Sequence, residues 1–384
     1  MKRKPRVLSV LAALSLLVSA VACSNPTVED TPDRITDDGS TYYPGATWRT
    51  AAPKDVHMDA TKINAVAERI RNGQIAEIDG LVVVRNGYVV MEQYANGSSA
   101  LHLHEMQSVT KSITSLLMGI AIDKGRIAGV TSKALDFFPE YSFQNMDQRK
   151  RDVTLKSLLT MTSGINFYED PYPGSPLDQL NRSTGDWLRI IFDQPMNAAP
   201  GERWQYNSGG VISLGGVIFS STGMVADQFA RENLFEPIGI FGASWFKGNP
   251  NGLPHMGGGL LLRATDLARI GYLVLRRGKW NETQIVSESW IRESTAHHVR
   301  NPRSFGSHPT DYGYLWWLLP LDNRSGTDSN TDIITASGAK GQWLFIVPRY
   351  DLVVAATSNA AGFSGYIAPA DFLYDFILPA IQDK

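Results

Sequence analysis

Residues 105 to 125 read EMQSVTKSITSLLMGIAIDKG, and the fold turns on how this stretch is interpreted. Ser108 and Lys111 stand three apart at the head of a largely apolar run, ITSLLMGIAID. Residues three apart share one face of a helix, so Lys111 reaches the hydroxyl of Ser108 without help from the rest of the fold. A serine at a helix N-terminus also sits among unpaired backbone N–H groups and the positive dipole end, which favour the oxyanion formed when an acyl carbonyl is attacked. An ordinary lysine, with a pKa of about 10.4, is protonated at neutral pH, and desolvation lowers that value. The same residues have a plainer reading: an N-capping serine followed by a surface lysine in the first turn.

The S-x-x-K spacing occurs three times, at Ser108, Ser244 (SWFK) and Ser337 (SGAK). Only Ser108 opens a long apolar helix. Ser244 lies at a loop or strand end, and Ser337 is followed by Gly338 and a predicted strand. Other nucleophile systems are missing. There is no G-x-S-x-G, hence no strand-to-helix nucleophile elbow, and no H-E-x-x-H or Cys/His cluster for zinc. The HLHE of residues 102–105 reads as strand-end surface, so no metal is expected.

The chain has 384 residues, 43% of them hydrophobic, enough for a large core, and a formal net charge of −2. No basic block with interleaved aromatics is present, so nucleic acid is not an expected partner. The start, MKRKPRVLSVLAALSLLVSAVAC, has a cationic head, an apolar run and small residues at Ala20 and Ala22, the pattern of a signal peptide over 1–22. Cys23, the only cysteine, stands where a bacterial lipoprotein is lipidated; the alternative is plain cleavage after Ala22, leaving a free terminal thiol. The expectation is an exported bacterial protein, periplasmic or at the cell surface, touching a membrane only through a lipid at Cys23. Residues 23–45 are polar and acidic and read as a flexible tether.

In the body, residues 60–72 have helical spacing at Ile63, Val66, Ala67 and Ile70, and 81–94 are two β-rich runs around Asn86-Gly87, a hairpin signal. Toward the other end, DYGYLWWLLP, GQWLFIVP and DLVVAATSN read as three strands, and DFLYDFILPAIQDK as a closing helix with apolar residues at 372, 373, 376 and 377. Strands from the two ends should pair in one sheet. The periodic segments between about 126 and 260 are mostly helical, and Thr265 is the expected cap of the helix that follows. The organisation is an α/β domain of residues 46–125 and 261–384 with a helical domain, 126–260, inserted into it.

Five stretches, SVTKSITSLLMGIAID, LKSLLTMTSGI, GERWQYNSGGVISLGGVI, GGGLLLRATDLARIG and ASGAKGQWLFIVPRYDLVVAATSN, then resemble in order the serine β-lactamase and penicillin-binding-protein superfamily. The resemblance spans about 46–380 and looks closest to the class C-like group that includes carboxylesterases, D-amino-acid peptidases and 6-aminohexanoate-dimer hydrolases. It implies an α+β fold with an antiparallel sheet flanked by helices and an inserted all-helical domain. It also implies Ser108 as nucleophile, with Lys111 and Tyr206 of YNS as its proton-transfer partners. Ser208 replaces the asparagine of the family's Y-x-N, and its hydroxyl can still bond Lys111. The third motif, K-T-G or H-x-G in relatives, aligns with Ala339-Lys340-Gly341 without the leading cation.

On that alignment Gly341 lets the backbone approach the substrate, the N–H of Gln342 joins that of Ser108 in an oxyanion hole, and Lys340 either binds a substrate carboxylate or faces solvent. The segments FYEDPYPGSP (167–176) and KGNPNGLPHMG (247–257) should approach the cleft mouth, with Tyr168, Asp170 and His255 as candidate contacts or as loop packing. Trp204, Trp343 and Trp187 suit an apolar acyl pocket and equally suit a core. With no E-x-x-L-N, activation of the deacylating water falls to Tyr206. Three functions compete: a hydrolase of small-molecule esters or amides, a D,D-peptidase or β-lactamase, and a non-catalytic lipoprotein that senses or binds penicilloyl compounds. The resemblance implies no cofactor.

Overall fold

In the computed structural model, which describes residues 42–75, 77–248, 252–321, 333–359 and 369–383, Asn86-Gly87 joins the antiparallel strands β1 (Ile78–Arg85) and β2 (Tyr88–Tyr94). Both turn residues have positive φ, 52° and 85°, as a tight two-residue hairpin requires. The expected signal peptide, Cys23 and the tether to residue 41 lie outside the described residues. Residues 42–46 already pack on the body: Tyr42 stacks on Tyr88 at 5.3 Å, and the Arg269 guanidinium donates to the carbonyls of Pro44, Gly45 and Ala46. These contacts lie at and just before the expected boundary at 46.

The other strands of the main sheet are β3 (Val299–Phe305), β4 (His308–Tyr312), β5 (Trp317–Leu319), β6 (Ile333–Gly338), β7 (Gln342–Val347) and β8 (Leu352–Ser358). The spatial order is β2-β1-β8-β7-β6-β5-β4-β3, antiparallel throughout. The two ends of the chain meet as expected, with Leu81 opposite Ala356 and Val83 opposite Val354. Successive side chains alternate between two apolar layers: Val82, Val84, Leu344 and Val353 on one side, Leu81, Val83, Phe345 and Val354 on the other. Covered on both faces, β1 reads as a continuous apolar run.

DYGYLWWLLP is two strands rather than one. The Gly313 N–H donates to the Trp316 carbonyl at 2.8 Å and Leu315 has φ 63°, so the chain reverses between β4 and β5. The HLHE segment does hold a two-residue strand, His104–Glu105, paired with Leu261–Leu262, but His104 is only 6% exposed and its Nε2 lies 3.0 Å from Ser98 Oγ.

Helix α1 (Ala60–Arg71) is capped by Asp59, whose carboxylate accepts from the N–H groups of Thr61 and Lys62, and it buries Ile63, Val66, Ala67 and Ile70. Helix α2 (Val109–Asp123) is buried at every residue from Val109 to Ala121, a core helix rather than a surface one. The segment between the two halves of the sheet carries the short helices α3 (Leu155–Leu159), α4 (Pro176–Arg182) and α5 (Trp187–Phe192), the long α6 (Ser208–Thr222) and α7 (Ala226–Ala230). One apolar cluster joins α2, α5 and α6 to the sheet. Helix α8 (Ala264–Leu275) packs on β1, β7 and β8. Its cap is not Thr265, which lies within the first turn: Arg263 holds the N-cap place, and the Asp266 carboxylate accepts its N–H at 3.4 Å. Helix α9 (Glu288–Ser294) follows, and α10 (Pro369–Phe372) runs on through tighter and wider turns to Ala380, burying Phe372, Leu373 and Ile377.

Trp290 of α9 lies across α2 at Gly119, donating its Nε1–H to the Ser115 carbonyl at 3.0 Å. A Cβ at position 119 would stand 2.3 Å from Trp290 Cδ1. Gly119→Ala, which gains about 1 kcal/mol in an open helix, should here cost about 1–3 kcal/mol through overpacking; urea unfolding measures the sign.

Candidate active site

Gln107, at φ 48°, turns the chain sharply just before α2, and Met106 N–H is held by the Leu260 carbonyl at 2.7 Å. Ser108 takes the N-cap place, yet its side chain makes no cap hydrogen bond. Lys111 Nζ instead donates to Ser108 Oγ at 2.9 Å, and the lysine is 2% exposed. Both halves of the plainer reading, a capping serine and a surface lysine, therefore fail.

Lys111 Nζ also donates to the Gly257 carbonyl at 2.6 Å and lies 4.9 Å from the centre of the Tyr206 ring. Gly257 belongs to a turn gathered on the His255 carbonyl, which accepts from Gly258 N–H, Gly259 N–H and Trp245 Nε1–H at 3.1, 2.9 and 3.0 Å. Tyr206 leads into α6, whose cap is Asn207, its Oδ1 accepting the Gly210 N–H at 2.8 Å. The tyrosine ring stacks on Trp317, 6.2 Å away at 17°. Three separated segments thus converge on Lys111 Nζ.

A cavity of about 690 Å³ opens over Ser108, walled by Trp204, Tyr206, Phe305, Trp317 and Trp343 and bordered by Tyr168, Glu169, Asp170 and Arg303. Tyr168 and Asp170, candidate contacts from the sequence, and Trp343 all border this cavity. Trp187 does not border the cavity and is core. Ser208 is buried as the first residue of α6, and its N–H goes to the Glu169 carboxylate.

The third motif is displaced. The hairpin between β6 and β7 turns at Ala339–Gly341 with Lys340 at φ 62° and Gly338 opposite Gln342. Ser337, Gly338 and Ala339 border the cavity at Ser108, whereas Lys340 and Gln342 line a separate cavity of about 510 Å³ with Asp79 and His104. The Gln342 side-chain amide is spent on the backbone of Ser358, its Nε2 donating to the carbonyl and its Oε1 accepting the N–H. The strand end beside Ser108 is accordingly two residues upstream of the aligned Ala339-Lys340-Gly341, and Gly341 forms the turn.

Of the other two S-x-x-K serines, Ser244 has lost its lysine to Asp227, paired with Lys247 at 2.6 Å. Ser337 borders the cavity while Lys340 does not. Glu169 escaped the sequence reading although it lies between the two residues chosen; its one signal was a carboxylate suited to a helix N-terminus. Phe305, Trp317 and Arg303 gave no local signal at all, because strand pairing alone brings them near Ser108.

His255 is not at the cavity mouth. It is buried beneath the Gly257 turn, edge-on to Trp187 at 5.6 Å, with Nε2 3.2 Å from Asn181 Oδ1. Burial, reinforced by the Lys111 charge, pushes its pKa down to about 4.

Residues 63–374, well over half of the chain, match the family described as Beta-lactamase, and the chain belongs to that family. It is 24% identical over 328 residues to the 6-aminohexanoate-dimer hydrolase of Paenarthrobacter ureafaciens, covering 81% of this chain and 79% of that protein. Esterase EstB of Burkholderia gladioli is 26% identical over 217 residues, 52% of this chain and 54% of the esterase. Among solved structures, EstCE1, a hydrolase with promiscuous acyltransferase activity, superposes with a TM-score of 0.67 at 18% identity over 84% of this chain and 98% of that one. That likeness is one of fold: the large antiparallel sheet and its helices are those of the β-lactamase and penicillin-binding-protein fold.

Because His255 is neutral in the folded protein down to about pH 4 while an unfolded histidine protonates near about 6.5, the unfolded state binds the extra proton between these values. Stability from this group is fully present above the upper value and is lost as pH falls, by about 2 kcal/mol at pH 5. Urea unfolding at pH 7.5 and 5.0 should show that loss in the parent protein, and His255→Asn should remove that share of the pH dependence.

Proposed function

We propose that the chain is a serine hydrolase cleaving a small ester or amide through an acyl-enzyme on Ser108. One observation carries the reading: the 2.9 Å hydrogen bond between the buried Lys111 Nζ and a serine hydroxyl that borders the cavity, with the Tyr206 ring beside it. In the first step, with Lys111 acting in its free-amine form, Ser108 Oγ attacks the carbonyl carbon as its proton passes to the Lys111–Tyr206 pair; the pair then hands that proton to the leaving group as its bond to the carbonyl carbon breaks, and backbone N–H groups at Ser108 and the end of β6 hold the oxyanion. Water then attacks the acyl-enzyme, giving up its proton to the same pair and restoring Ser108. The two titrating groups act as a coupled unit.

The cavity is within the usual size of a small-molecule site, and relatives named as an esterase and as a 6-aminohexanoate-dimer hydrolase support an ester or amide bond. The position of Lys340 in another cavity counts against a D,D-peptidase or β-lactamase, since among the described residues no cation stands at the end of β6 beside Ser108. The complete serine, lysine and tyrosine set argues for turnover over mere sensing. The proposal places the enzyme outside the cytoplasm, carried there by its leader and held by a lipid at Cys23.

Hydrolysis of p-nitrophenyl acetate and butyrate tests the reading. Ser108→Ala should abolish turnover, and Lys111→Met and Tyr206→Phe should each lower kcat by about 10²–10⁴-fold, with circular dichroism showing all three folded. Equal turnover by folded Ser108→Ala would sink the proposal.

A further inference from the structure

Three charged side chains border the cavity over Ser108, and they are not equivalent: Glu169, Asp170 and Arg303. Glu169 already accepts the N–H of Ser208 at the start of α6. Arg303 is exposed, and among the described residues no carboxylate pairs with it. Its neighbour on the same strand is the contrast: Arg300 donates to Asp311 at 3.0 Å.

The strand places Arg303 on the working side of the cavity. Residues 303, 304 and 305 pair in regular register with 310, 309 and 308, so Arg303 and Phe305 share one face of β3, about 7 Å apart. Phe305 packs edge-on against Trp317 at 4.9 Å and Trp343 at 5.0 Å, both walls of the cavity. Arg303 therefore prolongs an aromatic wall with a guanidinium. Such a group is weakly hydrated, stays charged and offers a two-pronged donor set that matches a carboxylate. The acids at 169 and 170 belong to a different segment, so the opening carries opposite charges on two separate borders.

From these observations we infer that Arg303 is the specificity-determining residue of the site and that its substrates are esters or amides with an apolar body and a carboxylate remote from the scissile bond. The inference rests on the serine-hydrolase reading and adds the substrate class to it. Lys340, the cation the sequence suggested for this task, lines the other cavity and takes no part.

The test is a ratio of kcat/KM values measured on the full-length protein at low ionic strength. For a carboxylate on the acyl side, mono-p-nitrophenyl adipate is compared with p-nitrophenyl hexanoate; for one on the leaving-group side, 4-acetoxybenzoate is compared with phenyl acetate. In at least one pair Arg303→Gln should lower the anionic-to-neutral ratio about tenfold or more, Arg303→Lys should lower it less, and Lys340→Gln should leave it in place. A ratio cancels any general loss of active protein. A change of less than twofold with Arg303→Gln in both pairs, or an equal fall with Lys340→Gln, overturns the inference while Ser108-dependent turnover of the neutral esters leaves the hydrolase reading standing. Absence of Ser108-dependent turnover of any of the four esters overturns both.

Discussion

An ammonium group taken out of water must be hydrogen-bonded or give up its charge, and the way Lys111 meets that demand organises the centre of this protein. Lys150 shows the structural solution to the same problem. It too is fully buried, and its Nζ donates to two backbone carbonyls, Gln144 O and Phe192 O, each at 2.7 Å. Lys111 has one carbonyl, that of Gly257, and in the second place the hydroxyl of Ser108, which opens on a cavity. That substitution of a serine hydroxyl for a carbonyl separates a lysine that holds loops together from the one to which the proposed function gives proton transfer.

The surrounding architecture keeps that arrangement rigid. Helix α2 is buried on all sides, so the side chains at its head have little room to rearrange. Glycine at 119 lets Trp290 press on the helix from one side, and the 255–259 turn, tied together at the His255 carbonyl, closes it from another. Because His255 is kept neutral by burial, no second cation is added beside Lys111. The sheet contributes a different kind of surface: Trp317 stacks on Tyr206, and Phe305 links Trp317 to Trp343. The groups proposed for proton transfer thus come from helices and turns, while the shape and charge of the opening are set by β3, β5, the end of β6 and the 168–170 segment.

Much of this was legible before any coordinates. The serine and lysine three apart, the Asn86-Gly87 hairpin, the amphipathic helix at 60–71 and the pairing of the two chain ends all follow from local rules of spacing and turn chemistry. Errors arose where two local signals competed. At 313–316 an aromatic, β-prone run was cut by a reversal closed by one backbone hydrogen bond. At 263–266 Asp266 reached back to the helix end and displaced Thr265 as the terminating residue. At 337–342 a motif aligned by residue type slipped by two positions, because the register of a tight hairpin, rather than the lysine, decides which residues face Ser108.

The sequence by itself supplied the Ser108–Lys111 spacing and the main helices and strands, since helix periodicity and short-range spacing are properties of neighbouring residues, and its resemblance to the family implied Ser108 as candidate nucleophile, Lys111 and Tyr206 as candidate partners and the α+β fold. Only the tertiary structure decided that Lys111 is buried with Gly257 as its second partner, that Glu169 and Arg303 border the cavity, and that Lys340 and His255 stand away from it. Those placements depend on the register of strands far along the chain from Ser108, and residue order alone holds no local record of which side chains a sheet will bring together.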